Sequence, residues 1–143
     1  MIKKPRNTMS LVIDSNSVNE SFARYAVSSF AAQLDPSVSE ITDLRTVVSE
    51  AVTNCIIHGY KGTQGKIFIY ATYYDDRSIK VKIRDKGCGM EDLELCMKPF
   101  YSGDTSGERG GMGFTIMDSF TDKMTVTTKK GKGTTVTMTK RFR

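Results

Sequence analysis

The sequence predicts an α/β fold in a single domain, and three observations carry that expectation. Two stretches with helical spacing each open on a Ser-x-x-Glu box, Ser17 with Glu20 and Ser37 with Glu40. An alternating run precedes them, and two pairs of alternating, β-branched runs follow, the mark of half-buried strands and hairpins. The length, 143 residues, suits one hydrophobic core and leaves little room for a second domain.

Taken in order, Thr8 to Asp14 places Met9, Leu11 and Ile13 on one face of a strand. The Ser17/Glu20 box starts a helix along which Val18, Phe22, Ala26 and Phe30 recur until Asp35 and Pro36 stop it. The Ser37/Glu40 box starts a longer helix that takes Ile41, Leu44, Val48, Val52 and Cys55 into the core and ends at Gly59. Lys66 to Tyr74 and Ser78 to Arg84 form a hairpin turned at Asp75-Asp76, with Ile79, Val81 and Ile83 inward and Lys80, Lys82 and Arg84 outward. A short helix is expected over Glu91 to Met97, and Pro99 to Gly110 lacks any hydrophobic period, which marks a candidate lid at about 98–110. Phe114, Ile116, Met117 and Phe120 define a last helix. Lys123 to Lys129 and Thr134 to Arg141 close the chain as a hairpin across Lys130 to Gly133.

Composition sets limits. Hydrophobic content of 38% and charged content of 26% are those of an ordinary globular protein. No apolar run approaches membrane-spanning length and no secretory signal is evident, so a cytoplasmic location is expected. The net charge of +5 comes without an aromatic-interleaved basic motif, which makes nucleic acid a weak reading and an acidic protein partner as consistent a one. Cys55, Cys88 and Cys96 have neither C-x-x-C spacing nor an even count, so no disulfide framework or zinc site is indicated, and Cys55 reads as a core residue.

The candidate site residues fall in three places. Glu50, Asn54 and His58 recur every fourth residue on the second helix, either as a solvated stripe or, for the Glu50 carboxylate and the Asn54 amide, as oxygen groups that share a water and a hard cation that keeps several of its waters. Asp85, at the end of a strand and followed by Gly87 and Gly89, suits acceptance of a hydrogen bond from a base's exocyclic amine, and D-x-G-x-G also makes a plain turn. Gly111 and Gly113 open a helix whose free N–H groups can hold phosphates, with Arg109 in the preceding lid as either a phosphate ligand or a solvated charge. There is no G-x-x-x-x-G-K-[ST], which excludes a P-loop.

The order of these motifs resembles the ATP-binding domain of the GHKL superfamily shared by gyrase, histidine kinases and mismatch-repair ATPases. N-E-S-F-A-R at Asn19 to Arg24, A-Q-L-D-P at Ala32 to Pro36, T-V-V-S-E-A-V-T-N at Thr46 to Asn54, I-I-H-G-Y at Ile56 to Tyr60 and G-M-G-F-T-I-M at Gly111 to Met117 resemble more closely the anti-sigma F factors of endospore-forming bacteria. The resemblance implies a two-layer α+β sandwich, the Bergerat ATP-binding fold, whose mixed, mainly antiparallel sheet is covered on one face by helices. It implies a serine protein kinase that uses ATP, yields ADP, sequesters a sporulation sigma factor and phosphorylates an anti-anti-sigma protein. Glu50 would be the general base, Asn54 would hold Mg2+, Asp85 would take the adenine amine, Gly87, Gly89, Gly111 and Gly113 would allow backbone approach, and Thr134 would support the adenine end. Glu20 and Arg24 match positions that contact partners, although an i,i+4 pair also serves simply to stabilise a helix. Homodimerisation through the N-terminal strand and first helix is implied, without direct nucleic-acid or membrane contact. Two alternatives stay open: a nucleotide-gated binder with vestigial catalysis, and the related general-stress anti-sigma kinase. Glu50 argues for catalysis, since a pure binder needs no base.

Overall fold

The computed structural model describes residues 4–89 and 113–143. Strand β1 (Pro5–Asp14) leads to helix α1 (Val18–Ala31), a 3-10 turn (Ala32–Leu34) and helix α2 (Val38–Asn54), which runs on into a π-helical turn (Cys55–Gly59). Strands β2 (Lys66–Tyr74) and β3 (Ser78–Asp85) follow, then helix α3 (Gly113–Ser119) and strands β4 (Lys123–Lys129) and β5 (Gly133–Arg141). The five strands form one sheet in the order β1-β2-β3-β5-β4. Every described pairing is antiparallel, so the expected mixed sheet narrows to a wholly antiparallel one among these strands.

Alternation decides which side of the sheet the helices cover. Ile13, Ile67, Ile69, Ala71, Ile79, Val81, Ile83, Val136 and Met138 are buried, and their immediate neighbours along the strands are polar or partly exposed. Leu44, Val47, Val48, Ala51 and Val52 of α2 join them in one hydrophobic cluster, with α1 and α3 packed on either side of α2. The start of α2 is held by the expected capping box: Ser37 Oγ accepts from Glu40 N–H at 3.1 Å, and Glu40 Oε1 accepts from Ser37 N–H at 2.9 Å.

Helix α1 departs from the sequence reading in two ways. Ser17 has helical dihedrals and makes no capping bond, so the Ser17/Glu20 box is not formed; Asn16 Oδ1 instead accepts the Val18 N–H at 3.1 Å. The buried stripe is Ala23, Val27, Phe30 and Ala31, while Val18 and Phe22 are 71% and 53% exposed. Ala23, Val27 and Ala31 let α1 sit close to α2 and the sheet, Phe30 packs on Tyr73 with ring centroids 5.0 Å apart, and Val18 and Phe22 are turned outward. No helix among the described residues is long and apolar enough to cross a membrane.

Candidate functional site

Asp85 continues the inward parity of Ile79, Val81 and Ile83, which brings a carboxylate to the end of β3 on the helix side of the sheet, only 4% exposed. Its oxygens are held by the chain itself: Gly87 N–H donates to Oδ1 at 2.9 Å, and the Cys55 thiol and the backbone of Thr134 also donate to the carboxylate. Burial pushes the Asp85 carboxyl above its usual value, against the pull of those three donors. Burial, and then the neighbouring Asp85 charge, pushes the Cys55 thiol well up, so Cys55 is a neutral S–H donor.

The end of α2 is what meets this carboxylate. After Asn54 the ladder widens by one residue, and Tyr60 N–H donates to Cys55 O at 2.9 Å. A π turn of this kind is rare and recurs at functional sites. It places Gly59 so close to Asp85 that an added Cβ would lie 2.8 Å from the carboxyl carbon and 2.9 Å from each oxygen. Gly87 packs in turn on Gly59, where a Cβ would meet the Gly59 carbonyl oxygen at 2.1 Å. That carbonyl accepts from Cys88 N–H at 2.9 Å, and Cys88 O accepts from Gly131 N–H, tying the glycine box to the β4–β5 hairpin. Gly89 has φ +71° and a Cβ there would strike Lys129 O, so a side chain is excluded twice over.

Of the predicted site residues, Glu50 and Asn54 are half-buried and one turn apart near the end of α2, as their spacing requires. His58 leaves that line, because the π turn shifts it off the α-helical repeat; its carbonyl accepts from Cys88 Sγ at 3.2 Å. Thr134 pairs across from Asp85 in the β3–β5 register, and its Oγ1 lies 2.9 Å from Thr128 Oγ1. Gly113 begins α3. Arg109, Gly111, the candidate lid, the short helix over Glu91 to Met97 and Cys96 lie outside the described residues. Away from this site, Arg24 Nη1 reaches both carboxylate oxygens of Glu20, at 2.9 and 2.8 Å, beside the half-exposed Tyr25 and Phe22.

Sequence reasoning missed Cys55, Gly59 and Tyr60 as parts of the site. Gly59 was legible as a helix stop, but its contact with Asp85 is made across a long sequence separation. Tyr60 Oη accepts from Lys86 N–H at 2.8 Å and donates to Lys66 O, bracing the segment that follows Asp85. No group of three or more His, Cys, Asp or Glu side chains that could hold a metal occurs among the described residues. A cation here would take its protein ligation from few oxygen donors, which suits a metal carried in with phosphates.

The comparisons with known proteins agree with this geometry. Residues 14–140 match the family described as Histidine kinase-like ATPase domain. An anti-sigma F factor of a Thermoanaerobacter species is 51% identical over 134 residues, covering 94% of this chain and 93% of that protein. The anti-sigma F factor of Clostridium acetobutylicum is 48% identical over 136 residues, covering 95% and 94%. The chain belongs to the anti-sigma F factor family. Among solved structures, one of RsbU and RsbW domains from Mycobacterium tuberculosis superposes with a TM-score of 0.69 at 20% identity, over 96% of this chain and 32% of that one. The mycobacterial sensor histidine kinase MprB gives 0.59 at 14% identity, over 94% and 99%. At such identities the structural likeness speaks for the fold alone. As an anti-sigma F factor the chain carries a histidine kinase-like ATPase domain on an antiparallel sheet with helices on one face.

Proposed function

We propose that residues 1–143 act as one domain that binds a sporulation sigma factor and, with Mg2+ and ATP, phosphorylates an anti-anti-sigma protein on serine, releasing ADP. The observation that carries this reading is the contact between the buried Asp85 and the π turn that ends the helix bearing Glu50 and Asn54. A carboxylate buried at 4% exposure beside two closely packed glycine backbones suits a flat base with an exocyclic amine, so the residues fit adenine. The Asn54 side-chain oxygen, with the nucleotide's phosphates, would hold Mg2+, which when bound supplies charge neutralisation at the phosphoryl group.

In the transfer step the serine oxygen attacks the γ-phosphorus, the bond from that phosphorus to the β,γ-bridging oxygen breaks, and ADP departs with the electron pair. Glu50 takes the proton of the attacking hydroxyl. Such a reaction asks the protein for positioning, one base and charge stabilisation, and a half-buried carboxylate one turn from the candidate metal ligand suits the first two. Arg109, Gly111 and Gly113, with the lid at about 98–110, would enclose the phosphates. Thr134 and Gly87 hold Asp85, while Gly89 lets the box pack on the hairpin.

Glu20 and Arg24 would contact the partners, and the same region supports the homodimer. Val18, Phe22 and Tyr25, all at least half exposed on α1, supply an apolar surface around that charged pair. The name anti-sigma F factor borne by the relatives supports a sigma factor as one partner.

The test is transfer of radiolabelled phosphate from Mg·ATP to a purified anti-anti-sigma protein by wild type and Glu50→Gln at matched ATP occupancy. Transfer by wild type and its loss in the variant is expected. Equal transfer would remove Glu50 as the base, and absence of transfer in both, with ATP and partner bound, would leave a nucleotide-gated binder.

A further inference from the structure

The face of the sheet that the helices do not cover has a pattern that the nucleotide site does not use. Reading across β2, β3, β5 and β4 by register, one row is Thr72, Lys80, Thr139 and Lys123; the next is Tyr70, Lys82, Thr137 and Thr125; the third is Phe68, Arg84, Thr135 and Thr127. These positions alternate with the buried ones, so their side chains share the outer face. None of them is a carboxylate, and Lys80, Lys82, Arg84 and Lys123 are exposed and make no ion pair among the described residues. A central spine of three cations is thus flanked by threonine hydroxyls. At one end of it a groove of about 340 Å³ is lined by Tyr74, Lys80, Lys123, Thr125, Thr137 and Thr139.

We propose that this outer face is a docking site for a carboxylate-rich polypeptide segment of a partner protein, lying along β3 with one acidic side chain in the groove. Lys80 and Lys123 supply opposite charge from two sides of that groove, and the three threonine hydroxyls supply donors for the carboxylate oxygens. A second copy of the chain is disfavoured as the occupant, since two such faces brought together would oppose like charges. Nucleic acid is disfavoured because stacking platforms are scarce: the Lys86 ammonium already sits over the Phe68 ring, 5.0 Å from its centroid, which leaves the exposed Tyr70 as the single other ring in these three rows. The site is distinct from the nucleotide site, for Asp85 and Lys80 project from opposite faces of the same strand.

The experiment uses the full chain and a short fluorescent poly-glutamate peptide, with binding followed by anisotropy at low ionic strength. The variant Lys80→Gln with Lys123→Gln is compared with a charge-matched control, Lys61→Gln with Lys132→Gln, all four positions being exposed. We expect the outer-face variant to lose about tenfold in affinity, the scale of two exposed charge pairs acting together, and the control to lose less than about twofold. Added salt should weaken the wild-type complex toward the level of the variant. Equal losses in both variants would overturn the proposal by showing a diffuse charge effect. So would tighter binding of a single-stranded oligonucleotide of equal charge, or of vesicles containing phosphatidylserine, through the same two lysines. Unchanged melting temperatures and ATP affinity in both variants show that the fold and the nucleotide site are intact.

Discussion

Substituting Gly59 by Ala tests the joint between the π turn and the proposed base pocket directly. The new Cβ would sit 2.8 Å from the Asp85 carboxyl carbon and 2.9 Å from each oxygen, closer than heavy atoms tolerate. Asp85 can yield only by giving up bonds, since its Oδ1 is held by Gly87 N–H at 2.9 Å and the carboxylate is also held by the Cys55 thiol and the Thr134 backbone. The turn can yield only by loosening the 2.9 Å bond from Cys88 N–H to the Gly59 carbonyl. Losing one such bond costs about 0.5–1.5 kcal/mol, and residual overpacking costs about 1–3 kcal/mol. The free protein can relieve the overlap by displacing the carboxylate, whereas on the proposed reading adenine binding requires it back in place. Most of the cost therefore appears as lost affinity, roughly 2–3 kcal/mol or about a thirty- to 140-fold rise in Kd for ATP. The assay is calorimetric titration with ATP and, separately, with tripolyphosphate, which lacks the base and should lose little. Gly62→Ala is the control: nothing lies within 4 Å of its added Cβ, but φ of +82° makes the substitution strained, so it should lower the melting temperature without changing ATP affinity by more than about twofold. If Gly59→Ala binds ATP as tightly as wild type with an unchanged melting temperature, Asp85 is not the group that reads the base.

Other outcomes follow from the same structure. Burial raises the Asp85 carboxyl, so its contribution to stability is present below the ordinary carboxylate value and is lost as pH rises through the raised one; Asp85→Asn should flatten that part of the ligand-free melting profile. Glu40 behaves in the opposite sense, because the backbone N–H groups of Ser37 and then Arg143 hold its carboxyl low: its contribution is present above the ordinary value and is lost as pH falls through the lowered one, a loss that Glu40→Gln should abolish in an acid titration of melting. Ser37→Ala removes the cap of α2 and should cost about 1 kcal/mol in chemical denaturation, while Ser17→Ala, where no capping bond exists, should cost far less. Arg24→Glu breaks the contact with Glu20 on an exposed helix face and should leave the melting temperature within a few degrees of wild type; intact sigma-factor binding by a folded Arg24→Glu protein would remove α1 from the partner surface.

The strands were the most legible part of the chain, because a sheet covered on one side forces a strict alternation and a slip of one residue would invert every side chain. The β2–β3 and β4–β5 hairpins accordingly lie where Asp75-Asp76 and Lys130 to Gly133 place them, with boundaries extended by one residue to Asp85 and Gly133. The same rule made Asp85 readable as inward, since it keeps step with Ile83. Helix α1 was less legible for an equally physical reason. Its sequence carries two stripes at helical spacing, Val18 with Phe22 and Tyr25, and Ala23 with Val27 and Phe30, and periodicity gives no sign of which one meets the sheet. Apolarity favours the first stripe, whereas close packing against α2 admits the smaller Ala23 and Val27 of the second, with Phe30 packed at its end, and packing prevails. The large residues left outside then need a reason of their own, and the proposed partner interface is one.

The joint at the end of α2 was hidden more deeply. Glu50, Asn54 and His58 keep the i,i+4 spacing through the whole stretch, and no residue in it betrays the wider turn that removes His58 from the line. What demands that turn is the packing of Gly59 against Asp85, a contact between two elements separated by β2 and most of β3. The metal-ligand candidate, Asn54, directly precedes Cys55, the first residue of the π turn and a donor to the Asp85 carboxylate. If the proposed roles hold, base recognition and phosphate positioning meet within two consecutive residues of one helix end. A perturbation of the Cys55 to Asp85 bond should therefore reach the metal position through the backbone: Cys55→Ala should weaken ATP binding more in the presence of Mg2+ than in its absence. Equal losses under the two conditions, measured by titration, would show that the two halves of the site are independent.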